Sequence, residues 1–156
     1  MRYRGVAVSI LAASLCLLAG CATVVSDDYS AEFSGNFAVA DESGDQPLNH
    51  KVPKIDLQRG AGSVTPVDSD RAEVFLTRCV SMIANVRSGD QHELRCVGSD
   101  RFIYLFVHGK PGLVMSEATM MKLFKDRHDV RSDSGYVLRR YIPNQMMFTY
   151  ALDRKE

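Results

Sequence analysis

The spacing of apolar residues after position 69 predicts a folded domain that begins with a helix. At 100° per residue, one set of apolar side chains falls within about 100° of arc, as on the buried face of an amphipathic helix. Asp70 and Glu73 match a capping box at its start, and Ser88-Gly89 ends the pattern. The apolar set consists of Ala72, Phe75, Leu76, Cys79, Ile83 and Val86.

The two segments after this helix have the patterns of β-strands. Gln91 to Val97 alternates apolar and polar residues, with Leu94 and Cys96 on one face, which is typical of a half-buried strand. Arg101 to His108 contains six consecutive apolar or aromatic residues, which indicates a central strand covered on both faces. Gly98-Ser99-Asp100 separates the two segments and predicts a turn between them.

A second helix and a hairpin follow. Ser116 is a suitable N-cap for a helix from Glu117 to His128. Tyr136 to Ile142 and Gln145 to Leu152 have strand patterns, and Pro143-Asn144 between them suits the centre of a type I turn. Together these elements predict the α+β fold class, with two helices and a small, mainly antiparallel sheet of about four to five strands.

The pattern also divides the chain into a tether and a domain. Residues 21–70 hold nine acidic and three basic residues, and apolar residues are sparse among them. Such a composition does not bury enough surface to offset the entropy of ordering. We therefore expect residues 21–68 to form a mostly disordered acidic tether and residues 69–156 to form a single α+β domain. Glu32 to Ala40 is the exception, because its apolar residues suit an edge strand.

The N-terminal residues form a distinct segment. Met1-Arg2-Tyr3-Arg4 is basic, Gly5 to Leu18 is an apolar run, and Leu18-Ala19-Gly20-Cys21 follows. This arrangement is typical of a secretory signal peptide. The run of 14 apolar residues is too short to span about 30 Å of hydrocarbon at 1.5 Å per residue, so a transmembrane helix is disfavoured. The tetrapeptide resembles the lipobox of bacterial lipoproteins.

This resemblance implies where the protein is held. It implies that residues 1–20 are a signal peptide cleaved before Cys21, and that the Cys21 thiol is acylated and anchors the chain in a membrane of the cell envelope. In enterobacterial lipoproteins an aspartate after the cysteine marks retention in the inner membrane. Ala22 stands there in this chain, so we expect the outer membrane, on its periplasmic side.

The cysteine count predicts one disulfide. Of the four cysteines, Cys16 is removed with the signal peptide and Cys21 is consumed by the lipid, which leaves Cys79 and Cys96. In an oxidising compartment two such cysteines usually pair. A bridge that closes a loop of about 18 residues contributes about 3 kcal/mol by the chain-entropy estimate.

No pattern in the chain predicts catalysis. Ile103 to Gly112, which ends in His-Gly-Lys-Pro-Gly, looks like the oxyanion-loop segment of α/β-hydrolases, but the Gly-x-Ser-x-Gly nucleophile elbow of that family is missing. The four histidines are far apart in sequence and lack the i, i+4 pairing of helical metal sites, so surface or strand-end positions are expected. The sequence therefore predicts no enzyme, no metal and no cofactor.

Six basic residues form a candidate binding patch if the second helix packs beside the following strand. In the envelope the partner of such a patch is an anionic polymer or an acidic protein face, and nucleic acid is not expected there. A merely solvated basic face is the alternative. The six residues are Lys122, Lys125, Arg127, Arg131, Arg139 and Arg140.

The function expected from these features is that of a membrane-anchored envelope lipoprotein. Its domain acts as a non-enzymatic binding or assembly module for another envelope component. The alternative is a periplasmic inhibitor or immunity-type protein that blocks a cell-wall hydrolase. The oligomeric state is left open by the sequence.

Overall fold

Alternating buried and exposed side chains organise most of the chain into β-strands. The computed structural model describes residues 23–24, 28–44, 53–66, 73–86, 89–118, 121–123, 127–143 and 146–156. Helical structure in these residues is limited to helix α1 and one 3₁₀ turn. The elements are β1 (Thr23–Val24), α1 (Ser30–Phe33), β2 (Gly35–Ser43), β3 (Pro53–Gln58), β4 (Ala61–Pro66), β5 (Val74–Val86), β6 (Gly89–Gly98), β7 (Ile103–His108), β8 (Leu113–Met115), the 3₁₀ turn (Met121–Leu123), β9 (Val130–Ser132), β10 (Tyr136–Ile142) and β11 (Met146–Lys155).

Eight of these strands close into an antiparallel barrel. Around the wall their order is β2, β3, β4, β5, β6, β7, β10 and β11, and β11 pairs with β2 to complete the circle. Each strand therefore lies beside its neighbours in sequence, as in an up-and-down barrel. Strands β8 and β9 form a separate hairpin outside the wall, and the short β1 pairs with β5 opposite Met82 and Ile83.

The barrel interior is packed with side chains. Large aromatic residues from three strands are almost completely buried there, as expected because an eight-stranded barrel is just wide enough for side chains to fill it. A smaller cluster (Val107, Leu113 and Val137) lies on the outside of the wall, where the β8–β9 hairpin covers it. The largest buried interior side chains include Phe37, Phe106, Phe148 and Tyr150.

The first predicted helix is wrong, because its residues form strand β5. The strand contains a β-bulge at Arg78, where φ is +53° and the register with β6 shifts. The extra residue places the core side chains of Leu76 and Cys79 three positions apart, which is a helical spacing. The bulge thus gives a strand the apolar spacing of a helix.

The second predicted helix, Glu117 to His128, is also wrong. Among its described residues only the 3₁₀ turn is helical, and β9 follows. The backbone N–H of Glu117 donates to Asp129 at 2.8 Å, and the side chains of Glu117 and Arg127 are buried beside each other. These contacts fold the segment onto the barrel wall in place of a helical hydrogen-bond ladder.

The predicted tether is wrong as well, since β2, β3 and β4 are consecutive strands of the barrel wall. A wall strand with one face in solvent needs an apolar residue only at alternate positions. These strands meet that need with few apolar residues. Strand β2 is paired on both sides, whereas an edge strand was expected. The α+β class and its tether are therefore replaced by an all-β barrel. The inward apolar residues are Phe37 and Val39 in β2, Ile55 and Leu57 in β3, and Val64 in β4.

The four strands predicted at residues 91–97, 101–108, 136–142 and 145–152 are confirmed as β6, β7, β10 and β11. The predicted turn between β6 and β7 is present too, and it has the backbone hydrogen bond from Arg101 N–H to the Gly98 carbonyl at 3.1 Å. Side-chain alternation along β6 places Leu94 and Cys96 inside the barrel, on one face as predicted.

Candidate functional site

Three aromatic side chains form a row across the wall at one end of the barrel. His92 of β6 is the register partner of His108 of β7, which is the partner of Tyr136 of β10. Alternation within each strand turns all three side chains toward the interior, the same side as Leu94 and Phe106. The Tyr136 and His108 rings stack at 3.9 Å between centroids.

Helix α1 covers this row with a carboxylate and a phenyl ring. The Glu32 carboxylate contacts Nδ1 of His92 at 2.8 Å with one oxygen, and Nδ1 of His108 with the other. The neighbouring Phe33 is 2% exposed and packs against Phe106 and Tyr136, with centroid distances of 5.9 and 6.4 Å. One short helix thus closes the barrel end with a charged group and an apolar group.

Hydroxyl groups hold α1 in place. The Ser30 hydroxyl donates to Asp28 at 2.5 Å, and the Ser34 hydroxyl bridges the Leu57 backbone, donating to its carbonyl at 3.1 Å and accepting from its N–H at 2.9 Å. Hydrogen bonds from the Ser30 hydroxyl, the main cause, and from the Ser30 backbone N–H lower the pKa of the Asp28 carboxyl below its usual value. The helix is therefore fastened to β3 from outside the barrel.

The cluster is suited to binding a carboxylate. Two imidazole rings present Nδ1 atoms to the same carboxylate, and the Tyr29 ring stacks on His92 at 4.2 Å, which fixes that ring's orientation. Within the described residues no group of three or more His, Cys, Asp or Glu side chains is arranged to hold a metal ion. No helix in the described parts of the chain is long and apolar enough to cross a membrane.

The opposite end of the barrel contains a different charged cluster. Arg140 of β10 donates to the Asp100 carboxylate at 3.0 Å and lies over the Phe102 ring at 3.9 Å from its centroid. Tyr104 also donates its hydroxyl to Asp100, at 2.8 Å. Burial is the main cause that raises the pKa of the Tyr104 phenol, so this group stays protonated and keeps donating.

A groove of about 820 Å³ lies outside the wall, between the β8–β9 hairpin and strands β6 and β10. The apolar part of its lining comes from the hairpin and the turn before it, Pro111 to Met115. The polar part includes Glu93, Lys110 and Arg139. This mixture of apolar and charged lining is typical of protein surfaces that bind a partner.

The charged groups in the groove are partly desolvated. Burial raises the pKa of the Glu93 carboxyl, and the nearby Arg139 opposes that change. Burial also lowers the pKa of the Arg139 guanidinium, against the attraction of Glu117 and Glu93. Arg139 donates to the Ser116 carbonyl at 3.4 Å, while its Nε atom is buried without a hydrogen-bond partner. The groove is therefore lined in part by a cation that has lost some of its hydration.

The five described residues of the predicted basic patch do not form one exposed basic face. Arg139 and Arg140 are neighbours on β10 and point to opposite faces, one into the groove and the other into the barrel. Arg127 is buried, 3.7 Å from Glu117, and donates to the Met147 carbonyl. Lys122 is paired with Asp129 at 2.6 Å and Arg131 with Asp133 at 3.0 Å, and Lys125 lies outside the described residues.

The predicted pairing of Cys79 and Cys96 is confirmed. Their sulfur atoms are bonded and their Cα atoms lie 4.1 Å apart, on the adjacent strands β5 and β6. The pairing thus joins two strands of the wall, where a helix and a strand were expected. The predicted signal peptide and the lipidation site Cys21 lie outside the described residues.

The row of His92, His108 and Tyr136 was missed by reasoning from the sequence. The histidines were judged by helical metal-site spacing and by their distance in sequence, whereas a hairpin brings them together. His128, the third described histidine, lies apart from them and contacts Asp41 at 3.0 Å. His108, which precedes the Gly-Lys-Pro-Gly turn, faces Glu32 inside the barrel.

Comparison with known proteins gives no relative for this barrel. No protein-family model matches the chain, and neither a curated protein nor a solved structure matches it.

Proposed function

We propose that this chain is a lipid-anchored protein of the cell envelope, acylated at Cys21, whose barrel is a non-enzymatic binding module. The observation that supports this proposal best is the groove beside the β8–β9 hairpin. It combines an apolar wall with Lys110 and the partly desolvated Arg139. Such a surface favours an anionic partner, which in the envelope is an acidic protein face or an anionic polymer.

The anchor is tested by replacing the acylated thiol. Cys21→Ser should abolish processing after Gly20 and the incorporation of a fatty-acid probe, because membrane attachment is expected to rest on that thiol. Metabolic labelling of the wild type and the variant measures this directly. Equal labelling of both proteins would contradict the lipobox interpretation. Density-gradient fractionation then tests the outer-membrane expectation, and recovery with the inner membrane would refute it.

The binding surface is tested with a pair of charge reversals. Lys110→Glu changes a cation that lines the groove, whereas Lys54→Glu makes the same change at an exposed lysine of β3, a strand that contributes no residue to the groove lining. Each protein is cross-linked in intact cells and its partners are identified. Loss of a partner from Lys110→Glu alone supports the proposal, and equal recovery with both variants contradicts it. A cell-wall hydrolase as that partner would favour the inhibitor alternative.

A further inference from the structure

The end of the barrel under α1 has the composition of a ligand site filled by the chain itself. Two consecutive residues, Glu32 and Phe33, enter it from helix α1, which is not part of the barrel wall. Glu32 supplies a carboxylate to two imidazole rings, and Phe33 supplies a phenyl ring to an aromatic pocket. A free molecule with the same two groups would make the same contacts.

The apolar half of the site is formed by the wall. The Phe33 ring is 2% exposed, with Phe106 tilted toward it at 5.9 Å and Tyr136 edge-on at 6.4 Å. Phe37 also packs against Tyr136, with 5.6 Å between centroids. The Phe33 ring belongs to the same packed core cluster as Phe37 and Phe106, so core side chains bound the space that it occupies. The pocket therefore fits a short tail better than a long acyl chain.

The polar half is preorganised in the same way. His92 and His108 are cross-strand partners, and each ring stacks on a tyrosine, Tyr29 for His92 and Tyr136 for His108. Two fixed rings with Nδ1 directed at one carboxylate recognise that group without further ordering of side chains. Tyr29 directly precedes α1, so its stack on His92 is lost if α1 leaves, whereas the His108–Tyr136 stack and the position of His92 on β6 belong to the wall.

We call helix α1, with Glu32 and Phe33, the plug of this site. The strand pairing of the barrel does not depend on it. Strand β7 pairs in unbroken register with β6 on one side and with β10 on the other, and neither pairing includes α1. The helix is held by hydrogen bonds of Ser30 and Ser34 with the backbone of Gln58 and Leu57, and by one from Arg154 to the Ser34 carbonyl. A few hydrogen bonds and one buried ring therefore separate the closed site from an open one.

We propose that this end of the barrel binds small carboxylic acids that carry one aromatic or short apolar tail, and that Glu32 and Phe33 occupy the site when no acid is bound. The acid's carboxylate replaces that of Glu32 at His92 and His108, and its tail replaces the Phe33 ring. Binding of the acid releases α1. The site depends neither on the groove nor on the anchor at Cys21.

The test uses 3-phenylpropionate as the acid and 3-phenyl-1-propanol as the matched alcohol. Each is titrated by calorimetry into the full chain as wild type and as Glu32→Ala/Phe33→Ala. For a ligand of this size we expect the double variant to bind the acid with a Kd on the order of 1 mM. The wild type should bind it about tenfold more weakly, with a Kd on the order of 10 mM, because its own plug competes, and the alcohol should bind at least tenfold more weakly than the acid. Equal affinity for the acid and the alcohol would overturn the proposal.

A histidine variant tests where the acid binds. In the double-variant background, His92→Gln/His108→Gln should weaken binding of 3-phenylpropionate at least tenfold, whereas His128→Gln, at an exposed histidine, should not change it. An unchanged affinity in the first of these variants would overturn the proposal.

A second measurement covers the case in which the plug variants do not fold. The imidazole NMR signals of His92 and His108 are followed in the wild-type chain as 3-phenylpropionate is added to about 50 mM, well above the Kd expected for an open site. Shifts of these two signals with the acid, without equal shifts from the alcohol, support the proposal. An absence of shifts overturns it.

Discussion

Both ends of the barrel carry charged side chains inside the wall, but they obtain them from different parts of the chain. At one end Glu32 comes from α1, a helix outside the strand order, and contacts His92 and His108. At the other end Asp100 comes from the β6–β7 turn and Arg140 from β10. The second cluster is made by the wall itself and the first by an added segment.

This difference predicts two kinds of opening. Disrupting the Asp100–Arg140 end means separating strands that pair with each other, so it requires unfolding of the barrel. Disrupting the α1 end requires the loss of a few side-chain contacts and leaves the strand pairing intact. Stability is thus expected to be global at one end and local at the other.

The disulfide should have the largest effect on the free energy of unfolding, because it joins two wall strands near the Asp100–Arg140 end. Cys96 is the register partner of Tyr104, which donates to Asp100. We expect Cys79→Ala/Cys96→Ala to lower the free energy of unfolding by about 3 kcal/mol, since the loop constraint on the unfolded chain is lost. Urea denaturation followed by circular dichroism measures it. Reduced wild type is the control and should lose a similar amount, and a loss within error of zero would contradict this view.

The Asp100–Arg140 contact should give the next largest effect. Asp100→Asn leaves the Arg140 guanidinium, 16% exposed as a side chain, without its charged partner. We expect a loss of about 2 kcal/mol in the free energy of unfolding, less than for a fully buried pair because water reaches this one. The control is Asp133→Asn, which breaks the exposed pair with Arg131 and should change stability little. Equal losses of stability in the two variants would show that the Asp100–Arg140 pair contributes no more than an exposed ion pair.

The α1 contact should give a smaller and local effect. Glu32→Ala removes the carboxylate from His92 and His108, and we expect a loss of about 1 kcal/mol, typical of hydrogen bonds at partly exposed groups. Amide hydrogen exchange should speed up in α1 and stay unchanged in β6, β7 and β10. Glu73→Ala, at an exposed residue that accepts from Thr65, is the control. Faster exchange throughout the barrel would mean that the two ends are not independent.

The smallest expected effect on stability comes from Glu93 in the groove. Its contribution to the pH dependence of stability must be known before any pH dependence is assigned to either end of the barrel. The pKa of Glu93 is raised in the folded chain, so the folded state holds its proton to higher pH than the unfolded state. The contribution of Glu93 to stability therefore falls as the pH rises from 4.5 through the folded pKa. Glu93→Gln should remove this fall, by under about 1 kcal/mol because the groove is partly solvated. Denaturation of both proteins at pH 4 and pH 7 tests it, and identical pH dependence would contradict it.

The half of the barrel with regular alternation was predictable from the sequence. The two strands on either side of Gly98-Ser99-Asp100 were identified, and a hairpin centred on that turn places His92 opposite His108, as the structure has them. Extending the predicted pairing by a few residues would thus have found the histidine row. Its carboxylate would still have been missed, because Glu32 comes from a segment interpreted as the start of a tether.

The rest of the fold was hidden by two physical effects. The bulge at Arg78 replaces a two-residue repeat by a three-residue step, so β5 matched a helix. Strands β2 to β4 each place only one or two apolar residues inside, so their composition matched a disordered segment. In both cases the structure is decided by long-range strand pairing, and a local sequence pattern carries no information about that pairing.

The pairing of β11 with β2 has a consequence for the order of folding. Seven of the eight contacts between wall strands join strands that are consecutive along the wall's path through the chain, whereas this one joins the first wall strand to the last. Such a distant contact forms late, because a long loop must be closed first. Until β11 is available, β2 and β10 are open edges that can pair with another chain. During synthesis the incomplete barrel is therefore prone to aggregation until its last strand is available.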